Sequence, residues 1–104
     1  MKRYRVHVTQ KAIDEMTEIG RYISEELLEP NLAVKLLDKL EKAIYGLESM
    51  PLKYPLVSDK YLSDQGIRKL PVENYIIFYT VSDEKSKVNI VRVLYQKINW
   101  MNLL

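Results

Sequence analysis

Two stretches decide the fold: Gly66-Ile67-Arg68-Lys69-Leu70-Pro71-Val72-Glu73-Asn74-Tyr75-Ile76-Ile77-Phe78-Tyr79-Thr80-Val81, and Val88-Asn89-Ile90-Val91-Arg92-Val93-Leu94-Tyr95. Short apolar runs rich in β-branched and aromatic residues form strands. The links at Glu73-Asn74 and Asp83–Ser86 are short enough for hairpins. Ile67–Val72, Tyr75–Val81 and Val88–Tyr95 are therefore expected to make a three-stranded antiparallel meander. Two arginines interrupt it, Arg68 and Arg92. A guanidinium keeps its charge, and holding it near a core is costly unless a carboxylate or phosphate meets it.

Working back toward the start, the pattern changes from period two to period three and four. Ile13, Met16, Ile19, Tyr22, Ile23 and Leu27 mark one helix, which Thr9 can cap. Asp14, Glu15 and Glu18 lie toward its beginning, where the helix dipole favours acids. Pro30 ends that helix and suits the first turn of a second, marked by Leu32, Leu36, Leu37, Leu40, Ile44 and Leu47. A link this short makes the two an antiparallel hairpin. Before them, Tyr4, Val6 and Val8 alternate with Arg3, Arg5 and His7 as a half-buried strand. Between Glu48 and Gly66 the periodicity fails, and a loop or short irregular strands are expected. The tail carries Trp100, Met101, Leu103 and Leu104 and is expected to fold back onto the sheet.

The expected architecture is thus α+β, in the order β-α-α-β-β-β. The helical hairpin packs on one face of a twisted sheet and the other face is left open for a partner. A chain of 104 residues fits one domain, 1–104. Its 47% hydrophobic and 29% charged residues are ordinary for a folded soluble protein. The sequence has no cysteine and one histidine, His7, so thiol chemistry and metal sites needing two imidazoles are excluded. No cofactor or metal is expected. The start lacks the apolar block of a signal peptide and no run reaches transmembrane length, so a cytoplasmic protein without membrane contact is expected. Net charge is +2, but the first fifty residues hold 8 Lys and Arg against 9 Asp and Glu, the remainder 8 against 5. The second half is mildly basic, as a phosphate-facing sheet would be.

Taken together, the opening strand ending in Thr9, Ala12-Ile13, Tyr22-Ile23, Pro30 with Ala33, and Leu47-x-x-x-Pro51 make a recognisable series. It continues with Gly66-Ile67-Arg68-Lys69-Leu70, Val72-x-x-Tyr75-x-Ile77-x-Tyr79 and Val88-x-Ile90-x-Arg92-Val93-Leu94-Tyr95. In this order and spacing the chain resembles, over nearly its full length, the RelE/ParE superfamily of toxins from bacterial type II toxin–antitoxin systems.

The resemblance implies a toxin held in check by a cognate antitoxin with an acidic or flexible segment. It also implies one of two targets. RelE-like members are metal-independent endonucleases that cut messenger RNA on the ribosome; ParE-like members inhibit DNA gyrase without nuclease activity. The retained arginines, the basic second half and the terminal tyrosine lean narrowly to the nuclease, whereas the two long helices favour the ParE-like branch.

Cleavage by the RNA 2′-hydroxyl needs a base, cations for the phosphorane and a proton for the leaving oxygen. By resemblance, Arg68 and Arg92 would hold phosphate, Tyr95 and Lys97 would move protons, and Lys53, Lys60 and Lys69 would contact RNA. A phenol ionises near pH 10 when unperturbed, so any tyrosine acting as a base requires nearby cations. Strand alternation sets Arg92 and Tyr95 on opposite faces unless a bulge intervenes or the strand ends near Leu94. The residues also admit a structural reading. Arg68 and Arg92 can pair with Glu73 or another carboxylate, Tyr95 can be a packed aromatic, and the lysines can be solvated charges. His7, on the polar side of the first strand, is assigned no chemistry. The apolar stripes of both helices are read as core.

Overall fold

In the computed structural model of the chain, residues 2–104 are described, without the side chain of Met101. The chain runs β1 (Arg5–Val8), α1 (Gln10–Arg21), α2 (Pro30–Gly46), α3 (Lys60–Asp64), β2 (Arg68–Val72), β3 (Tyr75–Ser82) and β4 (Lys87–Tyr95). The four strands form one sheet in the order β1-β4-β3-β2. β2, β3 and β4 are the expected antiparallel meander, with Glu73 in the left-handed region (φ 54°) of the first turn. The α+β architecture and the hairpin on one face are as expected. Strand order is what the local pattern could not supply: β1 lies parallel to β4, pairing Arg5–Val8 with Lys87–Ile90.

Thr9 caps α1 by accepting the Ala12 amide, and its hydroxyl donates to the Ile90 carbonyl at 2.8 Å, fastening the helix start to β4. Regular α1 stops at Arg21, earlier than its periodicity suggests. A wide π turn follows over Tyr22–Glu26, closed by the Leu27 amide on the Tyr22 carbonyl at 3.1 Å. Pro30 opens α2 as its first helical residue. The two helices approach closely at Gly20, where a Cβ would stand 2.8 Å from Leu37 Cδ1.

Two cores result. The larger joins Ala12, Ile23, Ala33, Leu36, Leu40, Ile44 and Leu47 of the hairpin to Leu70, Ile77, Tyr79, Val88, Ile90 and Val93 of the sheet. The smaller lies on the opposite face, where Val57, Leu62 and Ile67 cover Phe78 and Leu94, and Trp100 and Leu104 pack beside them. That face is therefore not simply open, as its alternation implied: one end is roofed by α3 and the tail. Trp100 meets Phe78 with ring centroids 5.0 Å apart.

The segment expected to be irregular holds α3. Asp59 caps it by accepting the Leu62 amide at 3.1 Å, and Gly66 follows its end at φ 80°. A helix of five residues is too short to show a period. The helical stripes are also not all core. Tyr22, Leu27 and Leu32 remain about half exposed because the sheet beneath them runs out.

Candidate functional site

β1 is short, so it pairs with β4 only as far as Ile90. Beyond that point the β4 backbone has no strand beside it on the β1 side, and a carboxylate from α1 takes the place of one. Glu15 Oε1 accepts the Val93 amide at 3.0 Å. Its Oε2 accepts from Arg92 Nε at 2.8 Å and lies 2.6 Å from Nη2. Arg92 Nη1 donates to the Leu103 carbonyl at 2.6 Å, bringing in the tail. Both side chains are mostly buried, at 15% and 16% exposure. Each ion's desolvation is thus offset by a charged partner and further hydrogen bonds. Glu15 was read from sequence only as an acid near a helix start. Its position, past the first turn of α1, lets it reach β4 instead.

A bulge does occur in β4. Phe78 opposes Arg92 while Tyr79 opposes Ile90, leaving Val91 as the extra residue. It falls before Arg92, so alternation from Arg92 to Tyr95 is regular. Arg92 and Leu94 face the small core, and Val93 and Tyr95 face the helices. Tyr95 stacks edge-on against Tyr75, with centroids 5.6 Å apart and planes at 64°. Burial, with a smaller contribution from the nearby phenols of Tyr95 and Tyr22, pushes the Tyr75 hydroxyl above its ordinary pKa.

Arg68 sits two strands away and on the helix-facing side, in register with Tyr79. Its Nη1 donates to the carbonyls of Tyr54 at 2.7 Å and Leu52 at 3.3 Å. The Tyr79 hydroxyl donates to the Pro51 carbonyl at 2.6 Å. Together they anchor the 51–54 segment over the core. Burial pushes the Tyr79 pKa up to about 12, against a lowering by Arg68.

The lysines named from sequence are scattered. Lys53 lies over the Tyr54 ring at 5.1 Å, Lys60 pairs with Asp64 along α3 at 3.1 Å, and Lys97 is exposed beyond β4. Lys69 lies on the opposite face of β2 from Arg68. The structure thus brings Arg92 to Glu15 and the tail, Arg68 to the 51–54 carbonyls, and Tyr95 to Tyr75. It does not bring the named residues to one point. Among the described residues no cluster of His, Asp and Glu is arranged to hold a metal.

What the fold does create is a groove of about 940 Å³ between the helical hairpin and the free part of β4. Ile19, Tyr22, Leu27, Leu32 and Leu36 form one wall, and Tyr75, Val93, Tyr95 and Ile98 the other. Glu15 and Glu18 stand on its rim, as do Lys35 and Lys39; Lys39 is paired with Glu73. Tyr22, Leu27, Leu32 and Ile98 are each 43–52% exposed, so a contiguous apolar strip faces solvent. Sequence reading missed it because the same residues fit a core stripe. No helix among the described residues is long and apolar enough to cross a membrane.

Solved structures share this architecture. The ParDE toxin–antitoxin system of P. aeruginosa superposes with a TM-score of 0.74 at 16% identity, covering 91% of this chain and 98% of that one. A double mutant of the RelE toxin of E. coli, in the free state, gives 0.67 at 15%, covering 97% and 92%. The RelBE2 complex of Mycobacterium tuberculosis gives 0.63 at 21%, covering 91% and 93%. At these identities the likeness is one of fold. No curated protein sequence gives a significant match. The sequence itself matches, over residues 6–100, the family described as ParE toxin of the type II toxin–antitoxin system parDE. With nearly the whole chain matched, this protein belongs to the ParE toxin family and is the toxin component of a type II toxin–antitoxin system.

Proposed function

We propose that this toxin acts by binding, as a ParE-like inhibitor of DNA gyrase, and not by cutting messenger RNA. The observation that carries this reading is the engagement of Arg92. All three guanidinium nitrogens are held by Glu15 and the Leu103 carbonyl, and Tyr95 faces the other side of the sheet. A cleavage site built on Arg92 would have to exchange a mostly buried carboxylate for phosphate, leaving Glu15 without its cation. It would also need Tyr95 beside those cations, whereas its ring rests on Tyr75. Membership of the ParE family supports the same choice.

The groove is the antitoxin's seat in this reading. Its apolar walls suit an amphipathic helical or extended segment, and Lys35 at the rim suits an acidic residue on that segment. Antitoxin binding there would cover the exposed Tyr22, Leu27 and Leu32.

Two assays, one on the purified chain and one in cells, test the target. Purified chain is added to gyrase and relaxed plasmid, and the 5′ ends of cellular transcripts are mapped within minutes of induction. Lost supercoiling with intact transcripts is expected. Unimpaired supercoiling, with new cuts inside translated codons that vanish in Arg92→Ala, would replace this reading with the RelE-like nuclease and restore the assignment of Arg68, Arg92, Tyr95 and Lys97 to its chemistry.

A further inference from the structure

The face of the sheet away from the helical hairpin has two unlike ends. Toward Tyr95 it is roofed by the small core and the tail. Toward the start of β4 it carries two rows of polar side chains, fixed by strand register: Arg5–Lys87–Ser82 and His7–Asn89–Thr80. Arg5 and His7 are exposed, and the other four are partly exposed. No carboxylate stands in either row. Asp83, just beyond, is engaged by the Lys2 ammonium at 3.1 Å and the Tyr4 hydroxyl at 2.5 Å, while Glu84 sits at the hairpin tip. Among the described residues, Arg5, His7 and Lys87 enter no ion pair, although most of the chain's other arginines do.

We propose that this strip is a sequence-independent surface for the phosphate backbone of duplex DNA. Cations supply the counter-charge, and the Asn89 amide with the Thr80 and Ser82 hydroxyls supplies neutral donors of the kind that position phosphates without reading bases. Single-stranded nucleic acid is disfavoured. Its binding depends on exposed aromatic rings that stack with bases; neither row carries a phenyl, phenol or indole ring, and Phe78 and Trp100 on the same face pack against each other. Neighbouring strands lie about 4.8 Å apart, so each row presents a compact band of charge and donors. The preference for DNA over RNA rests on the gyrase reading, which places the toxin where duplex DNA is held; the anion-binding strip itself does not.

The test is fluorescence anisotropy of a labelled 20-base-pair DNA duplex titrated with the full chain between 50 and 200 mM salt. Binding is expected at 50 mM, with log Kobs falling against log salt at a slope of about −2, as for two neutralised phosphates. Arg5→Ala with Lys87→Ala should flatten the slope by about 2, and Arg5→Glu with Lys87→Glu should abolish binding. Both pairs should keep the melting temperature, because neither side chain holds a partner in the fold. Leu32→Glu, in the groove, should bind DNA as the parent does.

No binding at 50 mM, or unchanged binding in the charge-reversed pair, would overturn the proposal. So would tighter binding of an RNA duplex or of a glutamate-rich peptide by the same residues. Gyrase inhibition is scored separately. A chain that binds DNA through this strip yet spares gyrase refutes only the target, and one that inhibits gyrase without binding DNA refutes only the strip.

Discussion

Glu15 and Arg92 face each other across the end of β1, and one carboxylate serves both the Arg92 guanidinium and the Val93 amide. Three parts of the chain meet there: α1, the free length of β4 and, through the Leu103 carbonyl, the tail. The pair closes the sheet edge where β1 stops, and Glu15 also stands on the rim of the groove.

Removing one member of so buried a pair leaves the other charge without compensation. Glu15→Ala is expected to lower stability by about 3–5 kcal/mol. For a domain of this size each kcal/mol is worth about 4–8 °C in Tm. A double-mutant cycle with Arg92→Ala should show the two losses to be strongly non-additive. Additive losses, or a Tm within two degrees of the parent, would mean that the contact contributes little.

Tyr79 predicts the alkaline limit of the fold. Its folded pKa of about 12 stands above the free phenol's value of about 10, so the native state favours the neutral form. The stability this gives is complete below pH 10 and is lost as pH rises through 12, because the unfolded chain ionises first. Absorbance at 295 nm should show a late-titrating tyrosine that disappears in Tyr79→Phe. The same substitution leaves the Pro51 carbonyl without its donor, at a cost of about 1–3 kcal/mol.

Trp100 pins the tail over Phe78. Trp100→Ala should cost about 2–3 kcal/mol, below the range for a fully buried indole because this one is partly exposed. Chemical denaturation measures it. Protease should then cleave after Tyr95 more readily than in the parent, and an unchanged digestion pattern would show the tail held by other contacts.

Leu32 separates binding from folding. It is 52% exposed in the first turn of α2, where an acid is favourable to the helix dipole. Leu32→Glu should leave Tm within about 2 °C and weaken antitoxin binding at least about tenfold by calorimetry, as loss of an interface anchor does. Undiminished affinity would place the antitoxin elsewhere.

Local patterns carried most of the architecture. The meander followed from three β-rich runs and two short turns, and the hairpin from two stripes broken by Pro30. Thr9 was legible as a cap because capping depends only on residues a turn away. α3 escaped because five residues show no period, although Asp59 and Gly66 bracket it. The stripes hid the groove because periodicity tells which side of a helix is apolar but not how far the sheet beneath it extends. Strand alternation did place Arg92 and Tyr95 on opposite faces, and the bulge at Val91 comes too early in β4 to reunite them.

The sequence by itself determined every element but α3, their order along the chain and membership of the ParE toxin family, because these depend on short-range spacing and on matched residues along the chain. Only the tertiary structure decided what Arg92 touches. Parallel pairing of β1 with β4 joins residues more than eighty positions apart and lays α1 along a strand that β1 does not fully cover. That geometry brings Glu15 to Arg92 and opens the groove beside them, and nothing in the residues adjacent to either one encodes the meeting.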